Sequence, residues 1–172
     1  MRLNLGCGRK PLEGYLNCDV VDYGTADKLF DFNKFPWDFT DSSVDEIYTS
    51  HTLEHLDDLL AVLMEMWRIS KPGARWNIKV PYFRSYVAFW DPTHKHFFSL
   101  YTFDSWDAEI NKNEFRTDMG LPMRWNTLSR KLIFSPKMKM FSWFNYFHHA
   151  YEVIFGTLIP AYEVKFVLQI VK

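Results

Sequence analysis

Cysteine is scarce in this chain: only Cys7 and Cys18 occur in 172 residues, each inside an apolar run. Two thiols so placed make no disulfide framework and point to reduced, cytoplasmic usage. Net charge is nearly absent too, at −1 from 20 basic and 21 acidic residues. That removes the global electrostatic footprint of a nucleic-acid binder. Long apolar runs are also missing. The best candidate, 141–159, is broken by Asn145, His148, His149 and Glu152, well short of the ~20 clean residues of a membrane span. Because an apolar run begins at Leu3, no signal or transit peptide is expected ahead of it.

What is present describes one globular domain over 1–172. Hydrophobic residues make up 48% and charged residues 24%, enough to build a core at this length. Aromatic residues reach 19%. Most of those rings are expected in the core, and the surplus beyond residue 80 suggests an apolar pocket or an adhesive surface. Charge is uneven. Residues 19–58 are rich in acids, whereas no acid lies between Met119 and Tyr151, a stretch that carries Arg124, Arg130, Lys131, Lys137 and Lys139. A solvated basic face is the ordinary explanation; an anionic substrate or lipid head group is the other.

Apolar periodicity predicts strands over Arg2–Leu5, 15–21, 28–32, 44–49, 76–80 and Glu163–Val171. A helix is predicted over 53–69, with Leu56, Leu59, Leu60, Leu63, Met64 and Trp67 as its stripe and Lys71-Pro72-Gly73 as its stop. A short helix over 102–110 and an amphipathic one over 141–159 complete the reading. Alternating strands and helices imply a doubly wound α/β fold around a parallel sheet.

In such a sheet, ligands bind beyond the carboxyl ends of the strands. Gly6-Cys7-Gly8 follows the first strand, where a missing Cβ lets backbone approach a ligand. Eleven residues past Gly8, Asp19 closes the second strand, able to accept ribose hydroxyls. Asp31 and Phe32 fall near the third strand end, able to bond and pack an adenine. A dinucleotide fingerprint fails, because the third glycine of G-x-G-x-x-G is Pro11 here and the gap to Asp19 is too short for helix plus strand.

The ordered set Leu3-Asn4-Leu5-Gly6-Cys7-Gly8, Asp19, Asp41-Ser42-Ser43-Val44-Asp45-Glu46-Ile47-Tyr48, His51-Thr52-Leu53-Glu54-His55-Leu56 and Lys71-Pro72-Gly73-Ala74 resembles class I S-adenosylmethionine-dependent methyltransferases, over roughly 2–81. The resemblance implies a Rossmann-like seven-stranded sheet with the last strand antiparallel. It implies Leu5, Gly6, Cys7 and Gly8 against the methionine part of the cofactor, Asp19 on its ribose, Asp31 and Phe32 at its adenine, and His51 near the sulfonium. The connection Arg9–Gly14 is shorter than the family's, so the first helix is curtailed and Arg9 or Lys10 is a candidate for the cofactor carboxylate. Residues 2–81 then form the cofactor-binding half, 82–160 the substrate region and 161–172 the closing strand.

His51-x-x-Glu54-His55 also fits the inverted zinc-protease pattern. His51 closes a strand, however, so the two histidines need not share a helical face, and no metal ligand is assigned. The segment Asp91-Pro92-Thr93-His94-Lys95-His96 is expected on the ligand side of the sheet. An Asx-Pro turn with surface histidines is one explanation; a general base or substrate contact from His94 or His96 is another; a two-histidine, one-carboxylate metal triad is a third. Cysteine-dependent methylation lacks a placed nucleophile. DNA amino-methylation lacks its Asn/Asp-Pro-Pro-aromatic motif, since Ser50-His51-Thr52 stands there.

The expected activity is methyl transfer to an O or N atom of a small molecule, sugar or lipid-linked glycan, with His94, His96 and His51 as catalytic candidates and no DNA partner. A cofactor-binding scaffold without turnover is the alternative, and a zinc hydrolase a more distant one. Residues 141–159 are a candidate homodimer face or peripheral membrane contact, set against ordinary core packing.

Overall fold

The computed structural model describes residues 1–110 and 120–172. Its centre is a seven-stranded sheet: β1 (Arg2–Leu5), β2 (Leu16–Asp19), β3 (Lys28–Leu29), β4 (Val44–Ser50), β5 (Ser70–Pro81), β6 (Arg124–Ile133) and β7 (Glu163–Val171). The spatial order is β3-β2-β1-β4-β5-β7-β6. The first five strands are parallel, while β7 is antiparallel to both β5 and β6. Strand order reverses between β1 and β4, where a doubly wound sheet opens its ligand crevice. Leu3, Ile47, Trp76, Ile78, Val80 and Leu168 are fully buried along it. Strands covered on both faces read as near-continuous apolar runs for that reason.

The first connection carries no helix at all: turns alone link β1 to β2. The helix expected over 53–69 divides. Leu53–His55 is a single 3-10 turn, and α1 runs over Leu59–Ile69. Two side chains enforce the break. Asp58 caps α1 by accepting from the Ala61 amide at 3.0 Å, and Asn33 Oδ1 takes the Asp57 amide at 2.8 Å. α1 buries Val62, Leu63, Met66 and Ile69, with Leu59, Leu60, Met64 and Trp67 on its flanks. The helix stops at Ser70, whose hydroxyl donates to the Met66 carbonyl at 2.7 Å and accepts from Trp76 Nε1 at 2.9 Å. Lys71-Pro72-Gly73 thus lies within β5, which is longer than the 76–80 expected.

β6 had no sequence forecast. It is an edge strand with a register shift between Thr127 and Ser129, and its basic residues mask the alternation. Charged side chains and irregular register are how exposed edges avoid further pairing. This strand comes from within 82–160, and residues 111–119 of that stretch lie outside the described residues. The expected short helix near 102–110 is one 3-10 turn, Asp104–Trp106.

The amphipathic helix over 141–159 does not form as one element. A short α2 covers Val87–Trp90 earlier in the chain; in the C-terminal region a 3-10 run covers Pro136–Tyr146, followed by α3 (His148–Ala150) and a π turn at Tyr151–Phe155. Side chains compete with helical bonding here. Asn145 Oδ1 accepts the Leu132 amide at 2.6 Å while its Nδ2 donates to the Leu132 carbonyl at 3.1 Å, stitching the segment to β6. The Tyr151 hydroxyl donates to the Ile159 carbonyl at 2.9 Å and accepts the Ala161 amide at 2.6 Å. No helix among the described residues is long and apolar enough to cross a membrane.

Candidate active site

β1 ends in a turn that only glycine can make. The amides of Gly6 and Cys7 both donate to the Cys18 carbonyl, at 2.9 and 3.0 Å, which ties the turn to the end of β2. Gly6 has φ +73°, and a Cβ there would lie 1.9 Å from Thr52 Oγ1. Gly8 has φ +52° with open space where its Cβ would be. One glycine is therefore demanded by packing, and the other leaves backbone bare to the crevice.

Asp19, almost fully buried at the end of β2, holds this turn in place. Its Oδ2 accepts from the Gly8 amide at 2.7 Å, and its Oδ1 accepts from Val20 and Val21 at 2.8 and 3.0 Å. An ionised carboxylate offers about four acceptor positions, so these three bonds leave capacity for a hydroxyl.

Grooves open on either side of the turn. One, of about 710 Å³, is lined by Gly6, Gly8, Asp19, Phe32, His51 and Thr93, among others. The second, of about 520 Å³, includes Cys7, Arg9, Lys10 and Ser50 and shares Gly6, Gly8 and His51. A third, smaller cleft of about 280 Å³ is walled by His51, His55, Val87, Trp90, Asp91 and His94. Phe32 reaches the first groove, whereas Asp31 lines none of the three. Asp31 accepts the Asn33 amide at 3.0 Å and faces Lys34 at 3.7 Å. Leu5 lies in the core. Val20, Val21, Tyr23, Thr52, Leu56 and Thr93 also line the first groove without having been expected there. Their only sequence signal was adjacency to Asp19 and to the histidine segments.

His51, at φ +56° just past β4, borders all three cavities. Its Nε2 lies 2.7 Å from Glu163 Oε1 on β7, and its Nδ1 lies 3.2 Å from Glu54 Oε1. The bond to Glu163, with Glu54 second, raises its pKa to about 9 against the opposing effect of burial. Lys79 pairs with the other oxygen of Glu163 at 2.7 Å.

The three members of the Asp91–His96 segment do not converge on one another. His96 Nε2 donates to the Leu56 carbonyl at 2.8 Å and so ties the segment to the start of the helical region. His94 turns the other way: its Nδ1 donates to the Ala88 carbonyl at 2.9 Å, which leaves the Nε2 lone pair free for the cleft. Asp91 Oδ1 accepts both the amide and the hydroxyl of Thr93, at 2.8 and 2.7 Å. Since that hydroxyl is already donating, it accepts from His55 Nδ1 at 2.8 Å, and His55 too keeps a free Nε2. The His55 and His94 rings stand 4.7 Å apart.

Both thiols are buried and free. Burial pushes Cys18 up to about 12 and raises Cys7 as well, so neither supplies a thiolate nucleophile near neutrality.

A reversed parallel sheet, a bare glycine turn at the reversal and a carboxylate closing the next strand match the Rossmann-like fold of class I S-adenosylmethionine-dependent methyltransferases. Residues 8–77 match the family described as a methyltransferase domain. The residues fit the cofactor, because the open side of Gly8, the spare acceptor capacity of Asp19 and the ring of Phe32 meet in a groove within the 300–1,000 Å³ typical of ligand sites. Among solved structures, the chain is similar to an S-adenosylmethionine-dependent methyltransferase from Archaeoglobus fulgidus, at 18% identity and TM-score 0.65 over 98% of this chain and 85% of that one. It is also similar to the YcgJ protein of Bacillus subtilis, at 13% identity and TM-score 0.58 over 99% and 91%. A third similar structure is the methyltransferase CalH in complex with S-adenosylhomocysteine, at 13% identity and TM-score 0.57 over 98% and 51%. No curated protein matches the sequence.

Proposed function

We propose that this chain transfers the methyl group of S-adenosylmethionine to an oxygen or nitrogen atom of a small molecule, sugar or lipid-linked glycan. The observation that carries the reading is the cleft of about 280 Å³, which shares His51 and His55 with the large groove and so opens toward whatever that groove holds. The bound sulfonium supplies an electrophilic methyl group, and the protein's part is to position both reactants.

In this reading Asp19 takes the ribose, Phe32 packs the adenine, and Gly6-Cys7-Gly8 passes the methionine portion toward Arg9 and Lys10, either of which can meet its carboxylate. His51 stands at the junction, near the sulfonium. His94 presents its free Nε2 to the acceptor, whereas His96 holds the segment in place. Tyr86 and Trp90 stack at 5.8 Å, and their rings are exposed. Flat apolar surfaces of this kind suit a sugar face or an aromatic acceptor.

A transfer screen over sugars, phenols and amines, with labelled S-adenosylmethionine, tests the reading. On an acceptor found in that way, His94→Gln is expected to cut turnover by about 10²–10⁴-fold with cofactor affinity unchanged. His96→Gln is expected to lower stability by about 1 kcal/mol and leave the chemistry largely alone. Equal turnover losses in both variants would contradict this division of roles. A cofactor-binding chain that methylates no member of the three acceptor classes would contradict the reading as a whole.

We further propose that the C-terminal segment docks on an anionic membrane surface, next to a lipid-linked acceptor. The support is an exposed set of Met140, Trp143, Tyr146, Phe147 and Leu158 beside exposed Lys131, Lys137 and Lys139, since bases and interfacial rings act together on such surfaces. Sedimentation with vesicles containing phosphatidylglycerol is expected to carry the chain down, and less of it at high salt. A chain that ignores such vesicles, or that buries this face in a dimer by light scattering, would contradict the proposal.

A further inference from the structure

We propose that Glu54, His55 and His94 form a site for a divalent first-row transition cation, whose open coordination positions take oxygen donors of the acceptor. The cation site stands on its own observations; its use toward the acceptor rests on the methyl-transfer reading above.

Glu54 is fully buried, yet neither carboxylate oxygen has a hydrogen-bond partner among the described residues. Its ion-pair partner among the described residues is His51, Nδ1 at 3.2 Å, a ring that Glu163 engages more closely at 2.7 Å. A fully buried carboxylate that shares one imidazole with Glu163 and has no hydrogen bond of its own is under-compensated, and a bound cation would supply the missing partner.

The two histidines are prepared in the same sense. Each donates its Nδ1 proton away from the site, His55 to Thr93 Oγ1 and His94 to the Ala88 carbonyl, so each points a free Nε2 lone pair elsewhere. Fixing the far nitrogen of an imidazole in this way is the usual support of a metal-binding histidine. Asp91 extends the support by one step, because it accepts the Thr93 hydroxyl.

A potential ligand atom from each of Glu54, His55 and His94 lies within 4.8 Å of those from the other two. Ligands about 2.0–2.1 Å from a tetrahedral ion stand roughly 3.3 Å apart, so movements on the order of an ångström close the site. The backbone already holds the two sources of ligands together: the Glu54 carbonyl accepts from Lys95 at 2.7 Å and His96 at 3.3 Å. Two imidazoles with one carboxylate suit manganese, iron, cobalt or zinc rather than calcium or magnesium. Three protein ligands leave one position open in tetrahedral and three in octahedral geometry. His55 and His94 line the small cleft, so those positions face the proposed acceptor. The sequence pattern at His51 sets His55 beside His51, and no metal ligand was assigned on it. The partner of His55 is His94, from the far side of β5, and a linear pattern does not display that.

The test is titration of the EDTA-treated full chain with Co²⁺, followed by visible absorption and calorimetry. One equivalent is expected to bind, with ligand-field bands of nitrogen and oxygen coordination. His55→Ala and His94→Ala are each expected to weaken binding by more than about 100-fold, and Thr93→Val by about 10–100-fold. Exposed His149, changed to Gln, should leave it unaltered. Glu54→Gln should abolish binding. Catechol, a probe with two adjacent oxygens, should shift the cobalt bands. S-adenosylhomocysteine affinity measured on the same metal-free samples reports separately on the methyltransferase reading. Absence of Co²⁺ binding, or binding that survives both histidine changes, would overturn the site. Cobalt bands indifferent to catechol would overturn the role toward the acceptor.

Discussion

Gly6→Ala is expected to be the most damaging single-methyl change in the protein. The new Cβ would lie 1.9 Å from Thr52 Oγ1, 2.7 Å from its Cγ2 and 2.8 Å from its Cβ, on a backbone with φ +73°. Left-handed backbone costs an L residue about 1–2 kcal/mol, and overpacking a fitted site adds about 1–3 kcal/mol. A combined loss of about 2–5 kcal/mol would show as a melting temperature lower by roughly 5–15 °C. Cofactor binding should fail with it, because the same turn fixes the Gly8 amide on Asp19. Every clashing atom belongs to the Thr52 side chain, so adding Thr52→Gly should recover the overpacking part and leave the backbone part. Thermal unfolding of the single and double variants measures both. A single variant that melts like the parent would mean that the turn does not pack on Thr52.

Asp19→Ala ranks second. It removes the acceptor of three backbone amides, those of Gly8, Val20 and Val21. Bonds to a charged acceptor are worth about 1.5–3 kcal/mol each and are not additive within one cluster, so a stability loss of about 2–4 kcal/mol is expected. Affinity for S-adenosylhomocysteine should fall by about 100-fold, as the ribose contact and the shape of the groove are lost together. Asp19→Asn separates these two contributions. Its oxygen can still accept from Val20 and Val21, but its amide hydrogens oppose the Gly8 N–H, so partial stability with weakened binding is the expected result. Parental affinity in Asp19→Ala would contradict the ribose assignment.

The legible part of this chain was the part whose chemistry is local. The glycine turn, Asp19 and the strand-turn pattern at Val44–Ser50 each carry their meaning within a few residues, and together they specified the doubly wound sheet and its crevice. Phe32 reached the groove as expected. Asp31 did not, because its side chain spends itself on the Asn33 amide one turn away. Long-range pairing was far less visible. β6 hides its alternation beneath basic edge residues. The helix expected over 141–159 gives way because Asn145 bonds to Leu132 and Tyr151 bonds to residues 159 and 161, contacts that periodicity cannot register. The opposite orientations of His94 and His96 follow from alternation along an extended stretch, but which of them faces the cleft depended on the Leu56 and Ala88 carbonyls. The pairing of His51 with Glu163 spans 112 residues and had no sequence signal at all.

Calorimetric titration of the chain with S-adenosylhomocysteine addresses the central claim most directly. The groove beside Gly8 and Asp19 predicts saturable binding at one site per chain, with a negative heat-capacity change from burial of the adenine against Phe32. Absence of any saturable binding by the folded chain, at concentrations where the product of methyl transfer normally occupies such grooves, would contradict the account.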